Sequence, residues 1–293
     1  MSALVDIGPA GALRSKAIND ITLANPSRLI IIAGQADSGK TTLVTSFYLR
    51  FRGGPFAGYS FAGGRTLHAL EERSHESLTM SGMSSPETKR TIQSEENRFL
   101  HLRVYREGKS KTFQDILFSD WPGETFRRAK ELHEEMKRLE LLRYCDRLAI
   151  LIDCERLLAP SRRHREQSDA DLFIKRAIDT GMLSPKAYVD VVFSKWDVVE
   201  TTKGGNDAEL FSQNLIENFS MKYSDRLGML AFWKIAARPS RSPGQPPADH
   251  YQFEALFQSW VESSPLSSPP VAGSLNEELI TREIDQYQLG TVR

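Results

Sequence analysis

The sequence predicts an α/β fold, a three-layer α/β/α arrangement on a mostly parallel sheet with one antiparallel edge strand. Three observations carry that reading. Short, continuous β-branched apolar runs recur along the chain, the pattern of strands covered on both faces. Helical patterns stand between most of them, as right-handed βαβ crossovers require. One pair of runs is separated only by a short stretch containing Glu107-Gly108-Lys109, which reads as a hairpin and supplies the antiparallel strand.

Taken in order, residues 1–26 are Ala/Gly-rich and form an N-terminal extension. The first strand is Arg28–Ala33 (RLIIIA), followed by a helix over Lys40–Phe51. Residues 53–97 are a long Gly- and Ser-rich insertion with one helical stretch at Leu67–Ser77; a segment of that length inside a domain is functional or disordered. Phe99–Tyr105 and Thr112–Ser119 make the hairpin, and a long helix is expected over Glu124–Tyr144. Three further buried strands, Arg147–Ile152, Ala187–Phe193 and Met229–Ile235, alternate with helices over Glu166–Thr180 and Ala208–Tyr223. After the Pro/Ser-rich connector Arg238–Ala248, Phe253, Leu256, Phe257 and Trp260 recur at helical spacing, so Gln252–Val261 is read as a docked last helix. Residues 27–262 are thus expected to form one domain, and 263–293 a flexible tail.

Composition narrows the function. Over 293 residues, a hydrophobic fraction of 40% suffices for a sizeable core. The 38 basic residues cancel the 38 acidic ones, which argues against a nucleic-acid or anionic-membrane binder. Two cysteines, Cys145 and Cys154, are too few for a disulfide framework and lack zinc-site spacing. No apolar run is long enough to span a membrane and no signal peptide is evident, so a cytoplasmic protein is expected.

The chemistry concentrates at strand tips. Gly34-Gln35-Ala36-Asp37-Ser38-Gly39-Lys40-Thr41 fits the phosphate-loop pattern G-x-x-x-x-G-K-[ST], after a strand and opening a helix. Its glycines allow a tight turn that points successive backbone N–H groups at phosphate oxygens, with Ser38 and Thr42 in the same run. The Lys40 ammonium would bridge β- and γ-phosphates, and the Thr41 hydroxyl would ligate Mg²⁺. Asp120-Trp121-Pro122-Gly123 follows the second hairpin strand: a carboxylate there suits the nucleotide's Mg²⁺, and the Gly123 N–H suits a γ-phosphate. Ser194-Lys195-Trp196-Asp197 follows another buried strand, where a ligand at the carboxyl ends of the strands places its base. The Asp197 carboxylate accepts both N1–H and N2–H₂ of guanine, a donor pair adenine lacks; it also suits a helix N-cap, and both roles are compatible. The Lys195 stem can lie over the base plane.

This ordered set resembles a P-loop GTPase of the translation-factor/Ras-like superclass, over about Arg28 to Glu262. Phe47-Tyr48, Gly54-Pro55-Phe56-Ala57-Gly58 and Phe61-Ala62-Gly63-Gly64-Arg65-Thr66-Leu67 resemble bacterial double-GTPase proteins associated with conflict or antiphage systems. The resemblance implies GTP or GDP as ligand, Mg²⁺, and slow hydrolysis that drives a conformational switch. It places the Ala236-Ala237 segment at guanine O6, with Ser194 standing where relatives carry Asn and Ala236 where they carry Ser. It implies a switch threonine from the 53–97 insertion that closes over Mg²⁺, Thr66 first, with Thr79, Thr88 and Thr91 as alternatives. Arg65 would be an arginine finger in cis, and Glu124 would stand in for the glutamine that orients the attacking water. Asp37 takes the place of the Asn that helps hold K⁺ in potassium-dependent relatives, or else caps the following helix. A P-loop ATPase or kinase, and a non-hydrolysing interaction module, are the rival classes. A protein effector or second subunit is expected at the insertion or the tail.

Other motifs fall away. His133-Glu134-Glu135-Met136-Lys137 lacks the second histidine of a zinc-protease helix. Arg162-Arg163-His164-Arg165 reads as a solvated helix start. Leu132, Met136, Leu139 and Leu142 read as a core stripe.

Overall fold

The computed structural model describes residues 12–14, 19–22, 26–79, 98–106, 112–238 and 251–262. The expected turn at Glu107–Lys109, most of the 1–26 extension, most of the Pro/Ser-rich connector and the tail lie outside the described residues. The chain is of the α/β class and divides into two compact units, one of Met1–Ile30, Val44–Asp120 and Phe257–Arg293, the other of Ile31–Leu43 and Trp121–Leu256.

In the first unit β1 (Leu13–Arg14), β4 (Arg98–Arg106), β5 (Phe113–Ser119) and the start of β2 (Ser27–Ala33) lie in that order. β4 and β5 are the expected hairpin pair, antiparallel from Phe99↔Ser119 to Tyr105↔Phe113, while β5 runs parallel to β2 from Ser27↔Asp115 to Ile30↔Phe118. Two short strands that the sequence patterns did not reveal, β1 and β3 (Tyr59–Gly63), both pair antiparallel with β4, so β4 is the reversed strand of this unit. The helical stretch expected in the insertion is α3 (Leu67–Thr79).

Aromatic packing holds this unit together. Phe47, from α2 (Lys40–Arg52), meets Phe257 at 5.0 Å and Trp260 at 5.7 Å between ring centroids. Both belong to α10 (Phe253–Glu262), the expected last helix, and both are fully buried. Each ring removes a large apolar area from water, which is why a helix flanked by Pro/Ser-rich sequence docks at all.

In the second unit the end of β2 is followed by β6 (Arg147–Asp153), β7 (Tyr188–Ser194) and β8 (Met229–Lys234). β6–β7 and β7–β8 are parallel, connected by α7 (Pro160–Asp179) and α9 (Gly205–Tyr223). Every residue of β2 and β6 is buried, as their continuous apolar runs require.

Two helices differ from the sequence reading. The expected Glu124–Tyr144 helix is three pieces: α4 (Gly123–Glu131), α5 (His133–Lys137) and a 3-10 turn at Glu140–Arg143. Leu132 breaks it, with extended backbone (φ −125°, ψ 128°) and a side chain 56% exposed, so it leaves the predicted stripe while Met136 and Leu142 stay buried. α7 starts earlier than expected because Pro160 occupies the helix start, where its missing N–H costs nothing; Arg162–Arg165 therefore lie in its first turns. No helix among the described residues is long and apolar enough to cross a membrane.

Candidate functional site

The glycine-rich loop connects the end of β2 to α2. Asp37 (φ 65°) and Gly39 (φ 90°) both adopt left-handed backbone, which lets the chain turn back into the helix within a few residues. Gly39 carries this without penalty, whereas Asp37 is one of the few side chains that tolerate it and stands exposed at the tip. The Lys40 ammonium folds over the loop, donating to the carbonyls of Gly34 at 3.0 Å and Gln35 at 2.7 Å. Ser38 is fully buried, and the Gly39 carbonyl accepts the first helical bond from Leu43 N–H at 2.8 Å. Thr41 and Thr42 follow in the first turn of α2.

Gly123 opens α4 directly against this loop. A Cβ at Gly123 would fall 2.3 Å from the Ala36 backbone nitrogen, a separation no side chain tolerates, so only glycine allows the approach. Glu124, next in the same first turn, is exposed. A ligand on the loop's N–H groups is thus within the neighbourhood of the Gly123 N–H.

The base-reading candidates attach to the same loop. The Ser194 hydroxyl, at the end of β7, donates to the Ser38 carbonyl at 2.8 Å and lies 3.1 Å from the Ile152 carbonyl. Lys195 adopts left-handed backbone (φ 56°) and turns the chain into α8 (Trp196–Thr201), whose Trp196 N–H donates to the Ile235 carbonyl at 2.9 Å. That bond sets Ala236 and Ala237 beside the start of α8, with Asp197 largely buried there (7% exposed). The Lys195 ammonium pairs with Asp153 at 3.1 Å and Glu155 at 2.7 Å.

Several residues hold the loop that no sequence motif pointed to. Asp169, buried in α7, accepts from both Gln35 of the loop and Lys130 of α4. Phe126 of α4 stacks on Phe173 of α7 at 4.7 Å, so α4 is fixed to α7 by a ring pair and an ion pair. The Arg156 guanidinium donates to the Ala36 carbonyl at 2.8 Å and to Glu166 at 3.3 Å. Burial pushes the Asp153 and Glu166 carboxyls above their ordinary range, and the neighbouring cations offset only part of that. The sequence reading did not single out Asp153, although its place directly after the RLAILI run is a signal that could have found it; Asp169, Glu166 and Lys130 lie inside helices with no pattern to mark them.

The remaining candidates belong to the first unit. Asp120 follows β5, its backbone N–H donating to the Arg98 carbonyl at 2.8 Å and its largely buried carboxylate paired with Arg73 at 2.7 Å. Thr66 is fully buried with its hydroxyl spent on β4: it accepts from His101 N–H at 2.8 Å and lies 3.4 Å from the His101 carbonyl. Arg65 is exposed, while its backbone N–H donates to His101 Nδ1 at 2.9 Å. The His101 Nε2 faces Asp115 at 2.8 Å, and Arg103 donates to the same carboxylate at 2.7 and 3.0 Å. Thr88, Thr91 and the side chain of Thr79 lie outside the described residues.

Whether these residues suit a nucleotide and its metal is a question of donor chemistry. The loop offers backbone N–H groups, one ammonium and a glycine cradle that a Cβ would fill, all suited to phosphate oxygens. Thr41 and Asp120 are hard oxygen donors of the kind Mg²⁺ takes alongside phosphate oxygens. Among the described residues no group of three or more His, Cys, Asp or Glu forms a separate metal site.

A family model described as DO-GTPase2, Double-GTPase 2, matches residues 28–261, most of the chain and all of the candidates above. No curated protein matches it.

Proposed function

The chain belongs to the Double-GTPase 2 family, and from that premise we propose that it binds GTP with Mg²⁺, hydrolyses it slowly, and acts as a nucleotide-controlled switch. The observation that supports this most is that two elements meet one loop: the Ser194 hydroxyl bonds the Ser38 carbonyl, and Gly123 packs closely against the Ala36 backbone. A phosphate grip, a base-reading segment and a phosphate-sensing glycine then share one support.

In this reading the loop N–H groups, from Gly34 to Thr41, hold the phosphates. Lys40 exchanges its bonds to Gly34 and Gln35 for β- and γ-phosphate oxygens. Asp197 accepts from the guanine Watson–Crick edge, Lys195 lies along the base, and Ala236 and Ala237 offer backbone N–H groups to O6. Thr41 and Asp120 are the residues that would hold Mg²⁺, which would supply positive charge for the phosphates. Glu124 orients a water for in-line attack on the γ-phosphate, and the Gly123 N–H and Lys40 meet the charge that develops. Thr66 would take a metal-closing role only by giving up His101, and an arginine-finger role for Arg65 would fall to its side chain, since its backbone N–H is bound to His101. Asp37 is the residue to which a K⁺ requirement would trace. Because the work is positioning and electrostatics, unassisted turnover is expected on the order of 10⁻⁴ to 10⁻² s⁻¹. A cytoplasmic location, a protein effector or second subunit, and service in a bacterial conflict or antiphage system are parts of this proposal.

Thermal denaturation with GTP or ATP at equal Mg²⁺ tests the reading. GTP and GDP should raise the melting temperature and ATP should not; a larger shift with ATP points to an ATPase instead.

A further inference from the structure

We propose that Asp169 is a positioning residue for hydrolysis at this site: by holding Gln35 of the phosphate loop on one oxygen and Lys130 of α4 on the other, it fixes the roll of α4 and so the place of Glu124. The inference rests on the guanine-nucleotide reading above and deepens it, since a buried carboxylate then sets the residue that orients water.

Asp169 lies in α7 and is buried. Its Oδ2 accepts from Gln35 Nε2 and its Oδ1 from Lys130 Nζ, so one carboxylate joins three elements. Lys130 is as deeply buried, which a lysine almost never is without an anion beside it. Holding α4 to α7 does not require this pair. Phe126 already stacks on Phe173 at 4.7 Å, one helical turn from the ion pair on both helices. Apolar side chains of similar volume in place of a buried ion pair are often neutral or stabilising. What a carboxylate adds over a leucine is direction: each oxygen admits a donor over a limited range of angles, and the second donor belongs to the loop.

The result is a clamp at two points. Gly123 starts α4 against the loop, where a Cβ would fall 2.9 Å from the Gln35 carbonyl carbon and 2.3 Å from the Ala36 nitrogen. Lys130 stands about two turns, roughly 10 Å, further along the same helix face, and returns to Gln35 through Asp169. A helix tied to one stretch of loop at both places cannot roll independently of it. Glu124 is exposed, so its position follows the helix that carries it. A roll of about 20° carries an atom about 5 Å from the helix axis through about 2 Å. A misplacement of about 1 Å can already cost about 100-fold in rate. Nucleotide affinity, which rests on the loop N–H groups and Lys40, does not depend on that alignment.

The test uses the full chain, unmodified and with Asp169→Leu and Lys130→Met made together, so that neither charge is left without its partner. Melting and binding of fluorescent GDP check each protein. GDP affinity should stay within about threefold, while single-turnover GTP cleavage at saturating nucleotide and Mg²⁺ falls about tenfold or more. Glu124→Ala should also cleave slowly, and adding the paired exchange to it should slow cleavage by less than about twofold further, since the groups act as one unit. A carboxylate that only supported the fold would slow both backgrounds alike. Unchanged cleavage in the paired variant overturns the proposal. So do a matching loss of GDP affinity, full additivity with Glu124→Ala, and unchanged cleavage in Glu124→Ala itself. Should the paired variant not fold, Gln35→Leu decides, because it cuts the loop from Asp169 and leaves the ion pair in place: slow cleavage that Glu124→Ala does not deepen supports the proposal, and full cleavage or additivity overturns it. An unmodified protein that binds no guanine nucleotide sinks the functional reading itself, and one that binds GTP but leaves it intact sinks hydrolysis and this proposal together. Normal GDP binding and GTP cleavage that the exchange does not alter sink only the role of Asp169.

Discussion

Ser194 donates its hydroxyl to the Ser38 carbonyl at 2.8 Å, so the segment expected to read a base is fastened to the loop expected to hold the phosphates. Both residues are almost fully buried, and the bond replaces water that neither group can reach. A serine suffices for this fastening, although the resemblance calls for asparagine at the position.

Ser194→Ala removes the donor and leaves the Ser38 carbonyl without that partner. Unfolding in urea should show a loss of about 1–2 kcal/mol. An unchanged midpoint and slope would mean that the bond contributes nothing to holding the loop.

Asp197→Asn exchanges one acceptor of the carboxylate for an amide donor. That arrangement opposes the N1–H and N2–H₂ of guanine but matches the O2 of xanthine. GTP affinity should fall about tenfold or more while XTP affinity rises. If the variant bound GTP as before, base recognition would have to be assigned to another residue.

Acid stability should depend on Asp115. Burial alone would raise its carboxyl, but hydrogen bonds from His101 and Arg103 and their charges outweigh burial and hold it below its ordinary value of 3.8. A lowered folded value means that ionised Asp115 stabilises the protein above about pH 4, and that this stability is lost as pH falls through the folded value. Between pH 7 and pH 3, Asp115→Asn should show a shallower acid limb in denaturation midpoints than the unmodified protein. Parallel limbs would contradict the assignment.

Much of this site was readable because it depends on local patterns. The phosphate loop needs its glycines, lysine and threonine within eight residues, and the hydrophobic runs of β2, β6 and β7 mark the strand tips where Asp153 and Ser194 stand. Leu132 shows the limit. Its spacing fits the helical stripe, yet its extended backbone ends α4, a break that no Gly or Pro announces. The short strands β1 and β3 were hidden for another reason, since only their pairing with β4 gives them structure. Asp169, Arg156 and Arg73 act through partners far away in sequence, Gln35, Ala36 and Asp120, and no spacing rule connects such pairs.

The central claim is that the Gly34–Thr41 loop grips a guanine nucleotide through Lys40. Equilibrium binding of fluorescent GDP and GTP to the unmodified chain and to Lys40→Ala, with Mg²⁺ present, tests it most directly. Loss of two ionic hydrogen bonds should weaken binding about 100-fold or more. Equal affinity in a Lys40→Ala protein of unaltered melting temperature would contradict the account.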